Sequence, residues 1–189
     1  MLAGNLEYVM SSLPNLSFSD SETIQHEVNS LFRKYGSVTD ASTHLVSILN
    51  SEAEKFLTPK QFRRFEDIEL KTIHQEKFLK SKFKVVSEFS RFSWRLKQEL
   101  KTFRIARKSD DVPGKVHYDV LEELSDNPLD AELQLLKLKW EKLSELSLGH
   151  YSDISALILY KLKLEVLLRW WSFNDEFGFD IFQQTVNVE

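Results

Sequence analysis

Cysteine is absent from this chain of 189 residues, so a disulfide framework, a thiolate metal site and a cysteine nucleophile are all excluded. The chain begins without a basic segment followed by an unbroken apolar run, so we expect no signal peptide. No stretch approaches the roughly 20 uncharged apolar residues that a membrane span needs. The nearest, residues 154–171, contains Lys161, Lys163, Glu165 and Arg169. We therefore expect a cytoplasmic chain with no direct membrane span.

Glycine and proline are scarce, with five and four residues, which predicts few turns and long secondary-structure elements. Short stretches that alternate polar and apolar residues between turn residues, as strands do, are also lacking. The apolar fraction of 42% and the charged fraction of 29% are typical of a globular protein. The sequence therefore predicts an all-α, elongated helical bundle that forms a single domain over residues 1–189.

The first 58 residues are predicted to form a short extended N-terminal arm and two short helices. Leu13 precedes Pro14, and a proline ring disfavours helix at the residue before it, so residues 7–18 are expected to be extended. The arm should pack Tyr8, Leu13, Leu16 and Phe18 against the body of the protein.

Two helices are expected after the arm. Ser19, Asp20 and Ser21 are candidate capping residues for the first, and Gly36 is well placed to end it. The second should cover about residues 40–50, where apolar residues recur at helical spacing.

Residues 59–108 are predicted to form a long basic amphipathic helical segment. Thr58 and Pro59 resemble a helix start, because proline is favoured at the first helical position. From Lys60 to Lys108 there is no glycine or proline, and apolar residues follow a helical stripe. One central helix of this length would span about 70 Å. A helical hairpin, broken at about residues 72–77 where the stripe is thinnest, is the alternative.

Residues 109–126 are predicted to contain a loop at 109–115 and a short helix at 117–125. Residues 127–189 should then form a C-terminal helical pair. Asn127 and Pro128 are a capping residue and a first-turn proline, and Gly149 is expected to end that first helix.

The last predicted helix, over residues 153–173, is apolar on most of its sides. Lys161, Glu165 and Arg169 form one polar line at i, i+4 spacing along it. A helix with so wide an apolar surface is expected to lie at the centre of the bundle.

Charge is distributed unevenly along the chain. Residues 55–108 contain 16 basic and 6 acidic side chains, whereas residues 109–189 contain 7 basic and 16 acidic ones. The basic segment could bind an acidic partner, or it could pack beside the acidic C-terminal helices, which is the favoured interpretation. No nucleic acid is expected as a partner, because the phenylalanines among the basic residues follow the apolar stripe.

Candidate catalytic and cofactor-binding motifs are missing. The sequence has no phosphate-binding glycine loop and no HExxH zinc motif, and its five histidines are widely separated. His150, near Asp153, could bind a metal or act as a base. The favoured interpretation is that His150 lies at a helix boundary and that Asp153 caps the helix. Trp170 and Trp171 could stack on a ligand, but packing is favoured. We expect a non-enzyme without cofactor, metal or small-molecule substrate.

The block from Asn127 to Phe182 resembles the C-terminal signature of a bacterial family of unknown function. Its members are encoded beside the genes of bacterial V/A-type rotary ATPases, in the place expected for the C-type central-stalk protein, whose eukaryotic counterpart is the d-type one. Residues 8–16 and 101–108 are similar to the family's opening run and to the end of its middle helix. The signature and packing positions are Asn127, Pro128, Trp140, His150, Tyr151, Tyr160, Lys161, Glu165, Arg169, Trp170 and Gly178.

The resemblance implies a non-catalytic subunit or assembly factor that acts as a helical socket between the central rotor shaft and the membrane ring. Its partners would be the shaft subunit and the ring, and it would associate peripherally with the inner membrane through the ATPase. A basic helical nucleic-acid-binding or adaptor protein is the alternative. As a hypothesis separate from the signature, the docking surface consists of Lys80, Lys82, Lys84, Arg91 and Arg95.

Overall fold

The computed structural model describes residues 6–33, 44–108, 121 and 123–173, and among these residues it contains helices and no β-strand. The all-α prediction is confirmed. In chain order the described helices are α1 (Leu6–Ser12), α2 (Glu22–Arg33), α3 (His44–Glu54), α4 (Pro59–Glu66), α5 (Glu76–Leu79), α6 (Lys84–Lys108), α7 (Pro128–Leu146) and α8 (Ile154–Trp171).

Helix α8 lies in the middle of the packing. Half of its 18 residues are buried, and the helix contacts α1, α3, α6 and α7. Apolar residues from each of the described helices, from Val9 in α1 to Val166 in α8, join in one core cluster. The wide apolar surface of α8 is therefore explained by its neighbours, as the sequence predicted.

The predicted helix starts are confirmed. The Thr58 hydroxyl accepts from the Gln61 amide at 3.4 Å, and the Gln61 side chain accepts from the Thr58 amide at 3.1 Å, which completes a capping box. Asn127 accepts from the Leu129 amide at 3.1 Å, and Ser21 caps α2 through the Ile24 amide at 3.4 Å.

Of the two alternatives left open for residues 59–108, one long helix or a broken one, the structure shows a broken one, and the break is wider than residues 72–77. Helix α4 ends at Glu66, turns and the single-turn α5 follow, and α6 begins at Lys84. Ile68, Ile73 and Phe78 all point into the core from this irregular segment. The burial of these side chains stabilises the irregular segment, by about 1.5–3 kcal/mol for each.

The prediction of an extended arm is wrong for its first half. Residues 6–12 form α1, and Tyr8, expected to pack inward, is 68% exposed. Pro14 restricts only the residue before it, so the turns upstream remain free to become helical. Leu13, Leu16 and Phe18 do pack against the core, as predicted.

Other boundaries differ by a few residues. Helix α3 continues to Glu54, beyond the predicted end at residue 50, and α7 ends at Leu146, before Gly149. Gly149 adopts φ +84°, a conformation that glycine favours, and so reverses the chain between α7 and α8. Gly36, Gly178, the predicted loop at 109–115 and most of the predicted helix at 117–125 lie outside the described residues.

Candidate functional site

Lys161, predicted to be part of a polar line on α8, is one of the most buried side chains of the protein, with 1% of its surface exposed. Its Nζ donates to the carbonyl oxygens of Phe65 and Glu66, both at 3.1 Å, at the point where α4 ends. Burial lowers the pKa of Lys161, although Glu165 opposes that shift. Lys161 therefore fixes the end of α4 onto α8.

Glu165 lies one turn further along α8 and contacts the same irregular segment. Its Oε2 accepts from the Leu70 amide at 2.5 Å, whereas its Oε1 is buried without a hydrogen-bond partner among the described residues. Burial raises the pKa of Glu165 to about 7, although the Leu70 amide and Lys161 act in the opposite direction. Near neutral pH this carboxyl is therefore present in both protonation states.

The signature residue Tyr160 and the neighbouring Trp171 contact the N-terminal segment. The Tyr160 hydroxyl donates to the Pro14 carbonyl at 2.9 Å, and burial raises the pKa of Tyr160. The Trp171 indole donates to the Ser19 carbonyl at 2.9 Å.

The Phe18 ring packs between two signature tryptophans. Its centroid lies 5.6 Å from that of Trp140 and 4.3 Å from that of Trp170. Trp170 and Trp171 are both half-buried and pack against the core, so the pair does not divide into one core ring and one peripheral ring.

His150 and Asp153 are in contact, and they lie at the start of α8. The His150 Nδ1 lies 2.7 Å from the Asp153 Oδ2, and the Asp153 Oδ1 accepts from the Ala156 amide at 2.8 Å. The capping interpretation of Asp153 is confirmed. Tyr151 beside it is 78% exposed. Within the described part of the chain, no three potential acidic or histidine ligands group closely enough to hold a metal ion.

The five residues of the predicted docking surface are all exposed, but they do not form one uniform patch. Lys80 pairs with Glu76 at 3.5 Å, and Lys84 with Glu88 at 3.7 Å. Lys82 lines a small concavity together with Asp67.

Arg91 and Arg95 flank Trp94, which is 47% exposed. Together with Leu79 these residues line a concavity of about 280 Å³. On a neighbouring side the same two arginines face Glu141 and Glu145 of α7 across a shallow cleft. Glu145 is itself paired with Lys142 at 2.8 Å, in the same cleft.

A second concave surface, which we call the basic groove, lies between α6, α7, α8 and residues 70–74, with a volume of about 670 Å³. Two carboxylates, Glu132 and Glu165, are also part of its lining. Its basic side chains are Lys71, His74, Lys97, Arg104, Lys139 and Arg169.

Several basic side chains of the basic groove lie close to one another. The Lys97 Nζ is 2.9 Å from the His74 Nε2. Burial, Lys97 and Lys139 together lower the pKa of His74. Burial also lowers the pKa of Lys139; Glu132 opposes this shift and Arg169 reinforces it. Arg169 has a carboxylate partner, Glu132, at 3.5 Å.

This groove is not visible in the sequence, because its side chains come from four separate segments. The net charge of residues 55–108 was visible, but not which cations would converge. The only local signal is the i, i+7 spacing of Lys97 and Arg104, which places both on one side of α6.

No helix in the described ranges is both long and apolar enough to cross a membrane. In comparisons with known proteins, residues 109–188 match the profile of a family described as "Protein of unknown function (DUF2764)". No curated protein and no solved structure matches the chain. The chain is thus similar to this family over its C-terminal part, which contains α7, α8 and the signature block from Asn127 to Phe182.

Proposed function

We propose that this chain is a non-catalytic helical subunit or accessory factor of a bacterial V/A-type rotary ATPase, where it links the central shaft to the membrane ring. The identity of the partner rests on the resemblance of the signature block to proteins encoded with such ATPases. The binding role rests on the surface of α6.

The observation that carries the binding role is Trp94, a half-exposed aromatic side chain between Arg91 and Arg95. Tryptophan and arginine are the residues most enriched at the energetic centres of protein interfaces. Leu79 adds an apolar side chain to the same concavity. This combination favours a protein partner over a small-molecule ligand.

The buried contacts of α8 support a mechanical role. Lys161 and Glu165 join α8 to the segment after α4, while Tyr160 and Trp171 join it to the N-terminal segment. Close-packed interiors transmit strain. A linker in a rotor needs this property, because torque must pass through it without deforming it.

Lys80, Lys82, Lys84, Arg91 and Arg95 remain the proposed docking residues. Because exposed charges contribute little each, and Lys80 and Lys84 already pair with Glu76 and Glu88, we expect Trp94 to contribute more to affinity than any one cation.

A pull-down from native membranes tests the proposal, with the tagged chain as bait. We expect recovery of shaft and ring subunits, reduced at least tenfold by Trp94→Ala. Tyr8→Ala removes an even more exposed aromatic side chain, from α1, and should leave recovery unchanged. Equal recovery with Trp94→Ala would discard the docking surface, and recovery of no ATPase subunit by the wild-type chain would discard the function.

A further inference from the structure

We propose that the basic groove binds an acidic amphipathic helical segment of a partner protein. This inference deepens the proposed function, since the segment would belong to a protein with which the chain assembles. It concerns a different surface from Trp94, because residue spacing puts Lys97, Leu100 and Arg104 on another side of α6 from Arg91, Trp94 and Arg95.

The dimensions of the groove suit a short helix. Its lining follows α6 from Ser93 to Arg104, a rise of about 17 Å, or three turns. Amphipathic helices commonly bind in such grooves through residues at i, i+3, i+4 and i+7 spacing. Leu70 and Leu100 are half-buried and offer apolar surface to the ligand.

The charge of the groove selects an acidic ligand. Among the described residues, Lys71, Lys97, Arg104 and Lys139 form no ion pair with a carboxylate, in contrast to Arg169. Carboxylates of a ligand that lie among these side chains would form favourable charge pairs with them. An acidic segment with an apolar side therefore complements both the basic side chains of the groove and its apolar residues, Leu70 and Leu100.

Nucleic acid fits the groove less well. Proteins that bind single strands stack bases on aromatic rings, and the described lining contains no phenylalanine, tyrosine or tryptophan.

Photocrosslinking tests the proposal on the full-length chain. A benzophenone amino acid replaces Leu100 in the tagged chain, which is irradiated with native membranes, and the crosslinked peptide is sequenced. We expect a peptide with at least three acidic residues and with apolar residues at helical spacing. The same amino acid at Tyr8 is the control for non-specific capture.

Binding of the sequenced segment, made as a synthetic peptide, then measures the contribution of charge. Lys97→Glu with Arg104→Glu should weaken its affinity at least tenfold. Lys60→Glu with Arg63→Glu, the same charge change at exposed positions of α4 outside the groove, should change it less than twofold. Lys97→Gln with Arg104→Gln should give an intermediate loss, which separates a charge effect from misfolding of the reversed variant.

The outcomes distinguish this proposal from the proposed function. An acidic segment from a protein outside the ATPase would support the groove and contradict the ATPase assignment. Recovery of ATPase subunits without an acidic crosslink at Leu100 would support that assignment and overturn the groove proposal. A crosslink only to nucleic acid, to lipid or within the chain itself would also overturn it.

Discussion

Lys161 shows how the function of a charged residue changes when a helix is covered. The spacing of Lys161, Glu165 and Arg169 predicted a polar line on α8, and the three residues do follow one side of the helix. Periodicity identifies a side of a helix but not what packs against it. The irregular segment after α4 covers this side, so two of the three residues bind backbone groups rather than water.

Replacing Lys161 should destabilise the fold. Lys161→Met keeps the apolar stem but removes the donor to the Phe65 and Glu66 carbonyls. We expect a loss of about 2 kcal/mol in the free energy of unfolding, because both carbonyls lose a buried hydrogen bond. Urea denaturation measures it. The matched control is Lys163→Met. The Lys163 Nζ lies 5.3 Å from the centroid of the Trp140 ring, so this substitution should lower the free energy of unfolding by less than about 1 kcal/mol. Equal losses for the two variants would contradict the role of Lys161.

Glu165 should make stability depend on pH. Its folded-state pKa of about 7 lies above the ordinary value of 4.5, so the folded chain holds this proton more tightly than the unfolded chain. Its contribution to stability is therefore present below pH 4.5 and is lost as pH rises through 7.

Glu165→Gln removes this titration and keeps an acceptor for the Leu70 amide. Relative to wild type, the variant should gain about 2–3 kcal/mol in unfolding free energy between pH 4.5 and 8. Urea denaturation of both proteins at several pH values measures the difference between their unfolding free energies. Other titrating groups are common to both proteins, so their contributions cancel in this difference. A difference that stays constant across this range would contradict the raised pKa.

At the scale of elements, the starts of helices were predictable and the interruption was not. Thr58-Pro59, Asn127-Pro128 and Asp153 act through neighbours within three residues, so local sequence contains the whole interaction. The interruption after Glu66 depends on Lys161 and Glu165, which lie 95 or 96 residues further along the chain. No local pattern contains that information.

The cap of α8 should be important because α8 is the central helix. Asp153→Ala removes the acceptor for the Ala156 amide and should lower the unfolding free energy by about 1 kcal/mol. Asp153→Ser restores an N-cap acceptor but not the contact with His150, so it should recover most of the loss. Thermal or urea denaturation compares the three proteins. No recovery with serine would indicate that the His150 contact, rather than the cap, stabilises this helix start.

At the scale of the whole molecule, segment charges predicted part of the electrostatics. Basic α6 does pack beside α7 of the acidic segment, where Glu141 and Glu145 line the same cleft as Arg91 and Arg95. The basic groove could not be predicted, because Lys139 and Arg169 belong to the acidic segment and reach the groove only through tertiary packing. The net charge of a segment does not show where individual basic residues such as Lys139 and Arg169 lie in the folded protein.

The most direct test of the central claim is reciprocal purification. A catalytic subunit of the V/A-type ATPase is tagged in the cells that express this chain, the intact complex is isolated from membranes, and its subunits are quantified by mass spectrometry. If the chain links shaft and ring, or assists their assembly, it should be recovered at a constant ratio to the shaft subunit. An ATPase that retains its shaft and ring but contains none of this chain at any stage of assembly would contradict the account.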